Sequence, residues 1–249
     1  MRDLHIHTTF SDGRNPPEEM VLAAIAKGMT TIGFSDHSYT PFDTAFCIPK
    51  EKLPAYREEI AALKAKYAGQ IEILCGIEQD FYSDEPTDGY DYVIGSVHYV
   101  KVGEAYLPVD ESRERLLDAV KRHFGGNIYA LAEAYYRTVA QVAEKLHPSI
   151  IGHFDLITKF NEGGTLFDES HPRYIAAWQA AADKLLTAGI PFEINTGAIS
   201  RGYRTAPYPA APIREYLAAR GANFLLSSDS HRADTLCFGF DAYTSEQTP

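Results

Sequence analysis

The chain has 249 residues, 45% of them hydrophobic, enough to bury a sizeable core at a length where one α/β barrel competes with two smaller domains. A net charge of −11 and an isoelectric point near 5.3, with no cluster of Lys and Arg, exclude the electrostatic footprint of a protein that binds nucleic acid or an anionic membrane. Cys47, Cys75 and Cys237 are odd in number and lack a C-x-x-C pair, which excludes a disulfide framework and a thiolate metal site; with no apolar leader and no membrane-length apolar run, they fit a reducing cytoplasm. Residues 3–6 read as the first strand. Asn15-Pro16-Pro17-Glu18-Glu19 then opens a helix over 16–27, with Asn15 as N-cap, proline in the first turn, acids at the positive end and Gly28 as the stop. A strand at 31–35 and a helix at 50–67 follow, then strands at 72–76 and 92–97 and helices at 111–123 and 128–145. The chain continues with a strand at 150–152, a helix at 172–187, a strand at 192–195, a helix at 211–220 and a strand at 224–227. Gly189 and Gly221 stop the last two helices. No repeat or linker interrupts this alternation, so a single domain over 1–249 is expected. Seven apolar strands separated by helices predict parallel pairing, and a closed sheet puts every strand's carboxyl end on one rim.

The polar residues of interest fall on that rim. His5 and His7, two apart on one strand, point the same way and can grip one cation. The placement recurs in Ser35-Asp36-His37, Gly76-Ile77-Glu78, Gly95-Ser96-Val97-His98, Ile151-Gly152-His153 and Ser228-Asp229-Ser230-His231. One histidine after a strand is more often a hydrogen-bonded structural residue than a ligand. Six of the nine histidines at the same place in separate βα units have no packing explanation. His123 and His147 read instead as residues of helix ends, and His171 as a loop residue before Pro172. Asp36, beside His37, reads as an orienting partner of that imidazole and not as a ligand.

These motifs resemble the PHP (polymerase and histidinol phosphatase) superfamily over almost the whole chain, and within it the histidinol-phosphatase branch. The resemblance rests on Asp3-Leu4-His5-Ile6-His7, Thr8-Thr9-Phe10-Ser11-Asp12-Gly13, the segments at His37, Glu78 and His98, Gly152-His153-Phe154-Asp155, and Ser228-Asp229-Ser230-His231-Arg232. It implies a distorted (β/α)7 barrel with a metal cluster at the C-terminal ends of the strands. Carried over by position, it implies one ion on His5, His7, Glu78 and Asp229, with Glu78 bridging to a second held also by His98 and His153. A third would sit on Asp12, His37 and His231; many members have histidine where this chain has Asp12. Nitrogen and oxygen donors without sulfur suit two to three ions of Zn, Fe, Mn or Co.

Three divalent ions against three carboxylates and six neutral imidazoles leave a local charge of roughly +3, which attracts a small phosphate dianion. Glu78, Asp229 and His231 are the expected catalytic residues, the last two as candidates for moving a proton. Arg201, in the loop after the sixth strand, is expected to bind phosphate through a fork that a lysine would reproduce poorly, with Lys159 as a second cation. The expected reaction is hydrolysis of L-histidinol phosphate in histidine biosynthesis, with a small phosphate ester as substrate and neither nucleic acid nor a membrane as partner. The alternatives are another phosphoesterase or a nuclease of the superfamily, or a PHP domain that binds without catalysis.

Overall fold

Seven parallel strands taken in chain order form one sheet in this computed structural model, which describes residues 1–247. They are β1 (Arg2–Asp3), β2 (Thr31–Phe34), β3 (Glu72–Asp80), β4 (Tyr92–Ser96) and, after an antiparallel hairpin of β5 (Tyr99–Val102) and β6 (Ala105–Pro108), β7 (Ile150–Ile151), β8 (Phe192–Asn195) and β9 (Phe224–Ser227). Helices α1 (Pro17–Ala26) and α2 (Leu53–Lys66) connect the first three strands. Between the hairpin and β7 lie α3 (Arg113–His123), α4 (Ile128–Val139) and α5 (Val142–Leu146). α6 (Pro172–Leu186) leads to β8, and α7 (Gly197–Ser200) and α8 (Ala211–Ala218) lead to β9. The sheet nearly closes: Ile6 bridges Ser230, the His7 N–H donates to the Ser230 carbonyl at 2.9 Å, and the Ser230 N–H donates to the His5 carbonyl at 3.1 Å. This is the expected barrel.

Alternation along the strands sorts side chains between two environments. Outward residues such as Ile32, Phe34, Ile73, Ile194 and Leu226 pack beneath the helices. Inward residues form a small apolar floor of Leu4, Tyr92, Ile94 and Ile150, with Leu74 and Leu225 against it. Tyr92 fills the centre of this floor; a Cβ at Gly33 or Gly76 would collide with its ring, so both strands carry glycine where they pass it. Its hydroxyl donates to the carbonyls of Leu4 at 2.6 Å and Phe34 at 3.0 Å.

That insertion accounts for one departure from the sequence expectation. The first strand is not continuous over 3–6: regular pairing stops at Asp3 and resumes only at the Ile6 bridge. Leu4 and His5 both serve the interior, so alternation breaks between them, and Tyr92 and the Ser35 hydroxyl take backbone groups that a ladder would have used. The expected helix over 128–145 also divides, into α4 and α5. There the Gln141 side-chain amide donates to the Arg137 carbonyl at 2.8 Å and Thr138 Oγ donates to the Ala134 carbonyl at 3.2 Å, competing with the helical ladder. β3 runs on to Asp80, which keeps Glu78 and Asp80 on the inward face. Among the described residues, no helix is long and apolar enough to cross a membrane.

Candidate metal centre

Above the apolar floor, all nine side chains singled out as ligands converge. They fall into four overlapping groups whose donor atoms lie within 4.8 Å of one another: His5, His7 and Asp229; His5, Glu78 and His153; His37, Glu78 and His98; and His7, Asp12, His37 and His231. Glu78 is central. Its Oε2 lies 3.3 Å from His5 Nε2, 3.5 Å from His7 Nε2 and 2.8 Å from His37 Nδ1, and its Oε1 lies 3.4 Å from His98 Nε2 and 3.0 Å from His153 Nε2. The grouping differs from the expected one in detail: His98 and His153 each meet Glu78 but fall in different groups.

His5 Nε2, both ring nitrogens of His7 and both carboxylate oxygens of Glu78 are buried without a hydrogen-bond partner. Five orphaned polar atoms at one point would cost several kcal/mol, and divalent cations would satisfy both Glu78 oxygens, His5 Nε2 and the one His7 nitrogen that carries a lone pair. The nitrogen and oxygen donors therefore fit a transition-metal cluster. The electrostatics agree. Burial first, then neighbouring His231 and His37, pushes His7 down to about 3, leaving it neutral with a lone pair available. Burial opposes the ionised form of Glu78, but His37, His5 and His98 outweigh it and hold the carboxyl well below its usual range.

A cavity of about 290 Å³ opens onto the cluster, lined on the metal side by Asp12, His37, Glu78, His98, His153, Asp229 and His231. Much of the remaining wall comes from the loop after β2, from Tyr99, Pro108 and Asp110 around the hairpin, and from Lys159, Arg201 and Tyr203. Phe42 stacks on Tyr106 at 3.7 Å and Tyr99 donates to Asp43 at 2.8 Å, which ties that loop to the hairpin. Both expected phosphate-binding cations reach this cavity, but neither is free. Lys159 donates to the Asp110 carbonyl and carboxylate at 2.8 and 3.2 Å, and Arg201 is engaged with Asp229.

Residues 3–197 match the model of the PHP domain. The chain belongs to the PHP domain family. Two relatives named "Probable histidinol-phosphatase" are each 31% identical: one from Schizosaccharomyces pombe, aligned over 86% of this chain and 74% of its own, and one from Deinococcus radiodurans, over 96% and 89%. Among solved structures, a Listeria monocytogenes protein provisionally named a histidinol phosphatase has a TM-score of 0.82 at 22% identity, covering 98% of this chain and 100% of its own. The histidinol phosphate phosphatase of Lactococcus lactis, complexed with zinc, L-histidinol and phosphate, has a TM-score of 0.67 at 22% identity, covering 98% and 91%.

Several residues of this PHP domain escaped the sequence reading. Glu193, fully buried on β8, accepts from His5 Nδ1 at 2.8 Å and from Asn195 Nδ2 at 2.9 Å, which directs the His5 Nε2 lone pair into the cluster. Asp80 does the same for His98, whose Nδ1 lies 3.2 Å from its carboxylate. Their positions on the inward face of strands β8 and β3 were the available signal. Asp36 orients no imidazole; it accepts from the backbone and hydroxyl groups of Thr8 and Ser11 and so shapes the loop that carries Asp12. His171 caps α6, its Nδ1 accepting from the Arg173 N–H at 3.2 Å, and His147 ends α5 with a left-handed backbone. Neither approaches the metal centre.

Proposed function

We propose that this PHP domain is a metal-dependent phosphomonoesterase that hydrolyses L-histidinol phosphate to L-histidinol and phosphate, a step of histidine biosynthesis, and that residues 1–249 form one metallophosphatase domain. The observation that carries the proposal is the ring of orphaned donors around Glu78 at the floor of a ligand-sized cavity. The names of the relatives, and the zinc, L-histidinol and phosphate held by the Lactococcus lactis neighbour, supply the substrate.

His5, His7, Asp12, His37, Glu78, His98, His153, Asp229 and His231 would hold two to three ions of Zn, Fe, Mn or Co. Bound there, such ions supply Lewis-acid stabilisation of charge on the phosphoryl oxygens and acidify an attacking water. The protein's own contribution is arrangement. Glu193 and Asp80 fix which nitrogen of His5 and His98 faces inward, so no reorientation is needed when substrate arrives. Glu78 faces the histidines of two groups at once and sets the spacing of whatever they hold. Arg201 and Lys159 stand at the cavity wall as cations for the phosphate. Asp229 and His231 border the same cavity, where a proton passes between water and the leaving alkoxide.

Phosphate release from L-histidinol phosphate, an aryl phosphate, a nucleoside phosphate and single-stranded DNA, with Mn or Zn added, tests the proposal. L-histidinol phosphate should lead by about a hundredfold in kcat/KM, the scale of discrimination by how the organic group of the ester fits its pocket. Preference for another ester moves the assignment elsewhere within the superfamily. Full metal occupancy without turnover of any substrate indicates a binding domain.

A further inference from the structure

Asp229 stands apart from the other eight proposed ligands in its backbone. It follows the end of β9 with a φ of 49°, a left-handed backbone that Asp tolerates better than most residues but that needs support. That support comes mainly from Arg201. Arg201 Nη1 donates to the Asp229 carbonyl at 2.8 Å, and Nη2 donates to its carboxylate Oδ2 at 2.9 Å. Asn195 Nδ2 adds a donor to the same Oδ2 at 3.2 Å. Oδ2 takes the two shorter donors, while Oδ1, with only a longer 3.4 Å contact from Arg201 Nη1, is the oxygen that faces the cluster, 3.4 Å from His7 Nε2 and 3.9 Å from His5 Nε2. His231 Nδ1 lies 3.0 Å from the Asp229 carbonyl and 3.1 Å from Arg201 Nη1: the tautomer with its hydrogen on Nδ1 donates to the carbonyl and leaves Nε2, 3.1 Å from Asp12, free for a cation, whereas the other tautomer accepts from the guanidinium. The guanidinium and this imidazole thus converge on one carbonyl.

Gly197 makes room for the pair. A Cβ there would come within 2.7 Å of Arg201 Nη2, 2.8 Å of Asp229 Cβ and 2.9 Å of Asp229 Oδ2. α7 therefore begins with a glycine and is capped by the arginine that curls back over it, the Arg201 N–H donating to the Gly197 carbonyl at 3.1 Å. Both terminal nitrogens of the guanidinium are engaged with Asp229, Nη1 also lies 3.1 Å from His231 Nδ1, and Arg201 lines the cavity.

We infer that Arg201 is a positioning residue for metal binding: through Asp229 it presents one carboxylate oxygen to the cation, and Gly197 is the clearance that permits it. This role adds to phosphate binding and rests on the reading that the cluster holds divalent cations. Simple charge repulsion argues for the opposite outcome, because an arginine beside a metal-binding carboxylate competes with the metal. The two are separable by experiment.

Dissociation constants for Zn and Mn, measured by competition with a chromophoric chelator and without substrate, are compared for the wild type, Arg201→Ala, Arg201→Lys and Gly197→Ala, with circular dichroism to confirm folding. Arg201→Ala and Gly197→Ala should each weaken metal binding about 10- to 100-fold, the usual effect of losing an orienting partner. Gly197→Ala is informative because it displaces the pair while keeping the arginine and its charge. Arg201→Lys, a point charge without the fork, should restore little. Metal affinity unchanged within twofold in both Arg201→Ala and Gly197→Ala, or tighter in Arg201→Ala, overturns the inference and leaves the phosphatase reading standing. A wild-type protein that binds neither cation removes both.

Discussion

Replacing Glu78 by Gln takes one charge from the centre of the cluster and leaves its shape almost unchanged. The carboxylate faces five imidazoles at 2.8 to 3.5 Å and belongs to two of the four candidate ligand groups. A charge-assisted contact contributes about 1.5–3 kcal/mol, so each ion that loses this oxygen should bind roughly ten- to more than a hundredfold more weakly. With two ions affected, phosphatase activity at limiting metal should fall by about a thousandfold. The fold should survive. The apolar floor and the outer core make no use of Glu78, and without its charge His37, which Glu78 and Asp12 hold up to about 10 against the opposing effect of burial, returns toward neutrality and relieves mutual repulsion. A loss of about 1–2 kcal/mol in the metal-free protein corresponds to a few degrees in Tm. Elemental analysis after desalting, phosphate-release kinetics and thermal unfolding together decide the matter. A folded Glu78→Gln protein with full metal content and turnover within tenfold of wild type would refute the central place given to this residue.

Glu193→Gln should weaken zinc binding about 10- to 100-fold by releasing His5 from its fixed tautomer, as read by chelator competition; a change under twofold would make Glu193 a packing residue. Tyr92→Phe leaves the Leu4 and Phe34 carbonyls without the phenol and should cost about 1–3 kcal/mol in urea denaturation, whereas a cost below about 0.5 kcal/mol would contradict its role as the barrel plug. Burial raises the Asp155 carboxyl from 3.8 to about 6. A raised folded-state pKa means stability that is present below 3.8 and lost as pH rises through about 6, so Asp155→Asn should stabilise the protein above pH 6, by at most roughly 3 kcal/mol, and have little effect below pH 4. Parallel stability curves for the two proteins across that range would contradict it.

The barrel was legible because its signals are local: apolar runs for the strands, prolines and glycines for helix ends, and a polar residue after each strand. What escaped depends on side chains that meet only in three dimensions. Tyr92 interrupts the first strand from across the barrel, and nothing near residues 3–6 announces it. The break after α4 is a local competition for carbonyls by Thr138 and Gln141, weak enough to be overridden in the expectation of a continuous helix. The β5–β6 hairpin is absent from the expected elements because its strands are only four residues each. In the site, motif spacing brought nine side chains to one rim, yet it could not reveal that Lys159 and Arg201 meet Asp110 and Asp229, because those pairings join distant segments. Glu193 was hidden by its strand: an acid in an apolar run reads as an interruption until the inward face is known.

The most direct test strips the purified protein of metal with a chelator and follows phosphate release from L-histidinol phosphate as Zn, Mn, Fe or Co is returned. The account predicts no measurable release from the stripped protein and activity that rises with added ion to a plateau at two to three equivalents per chain. Undiminished release without metal, or none at saturating metal in a folded protein that has bound it, would contradict it.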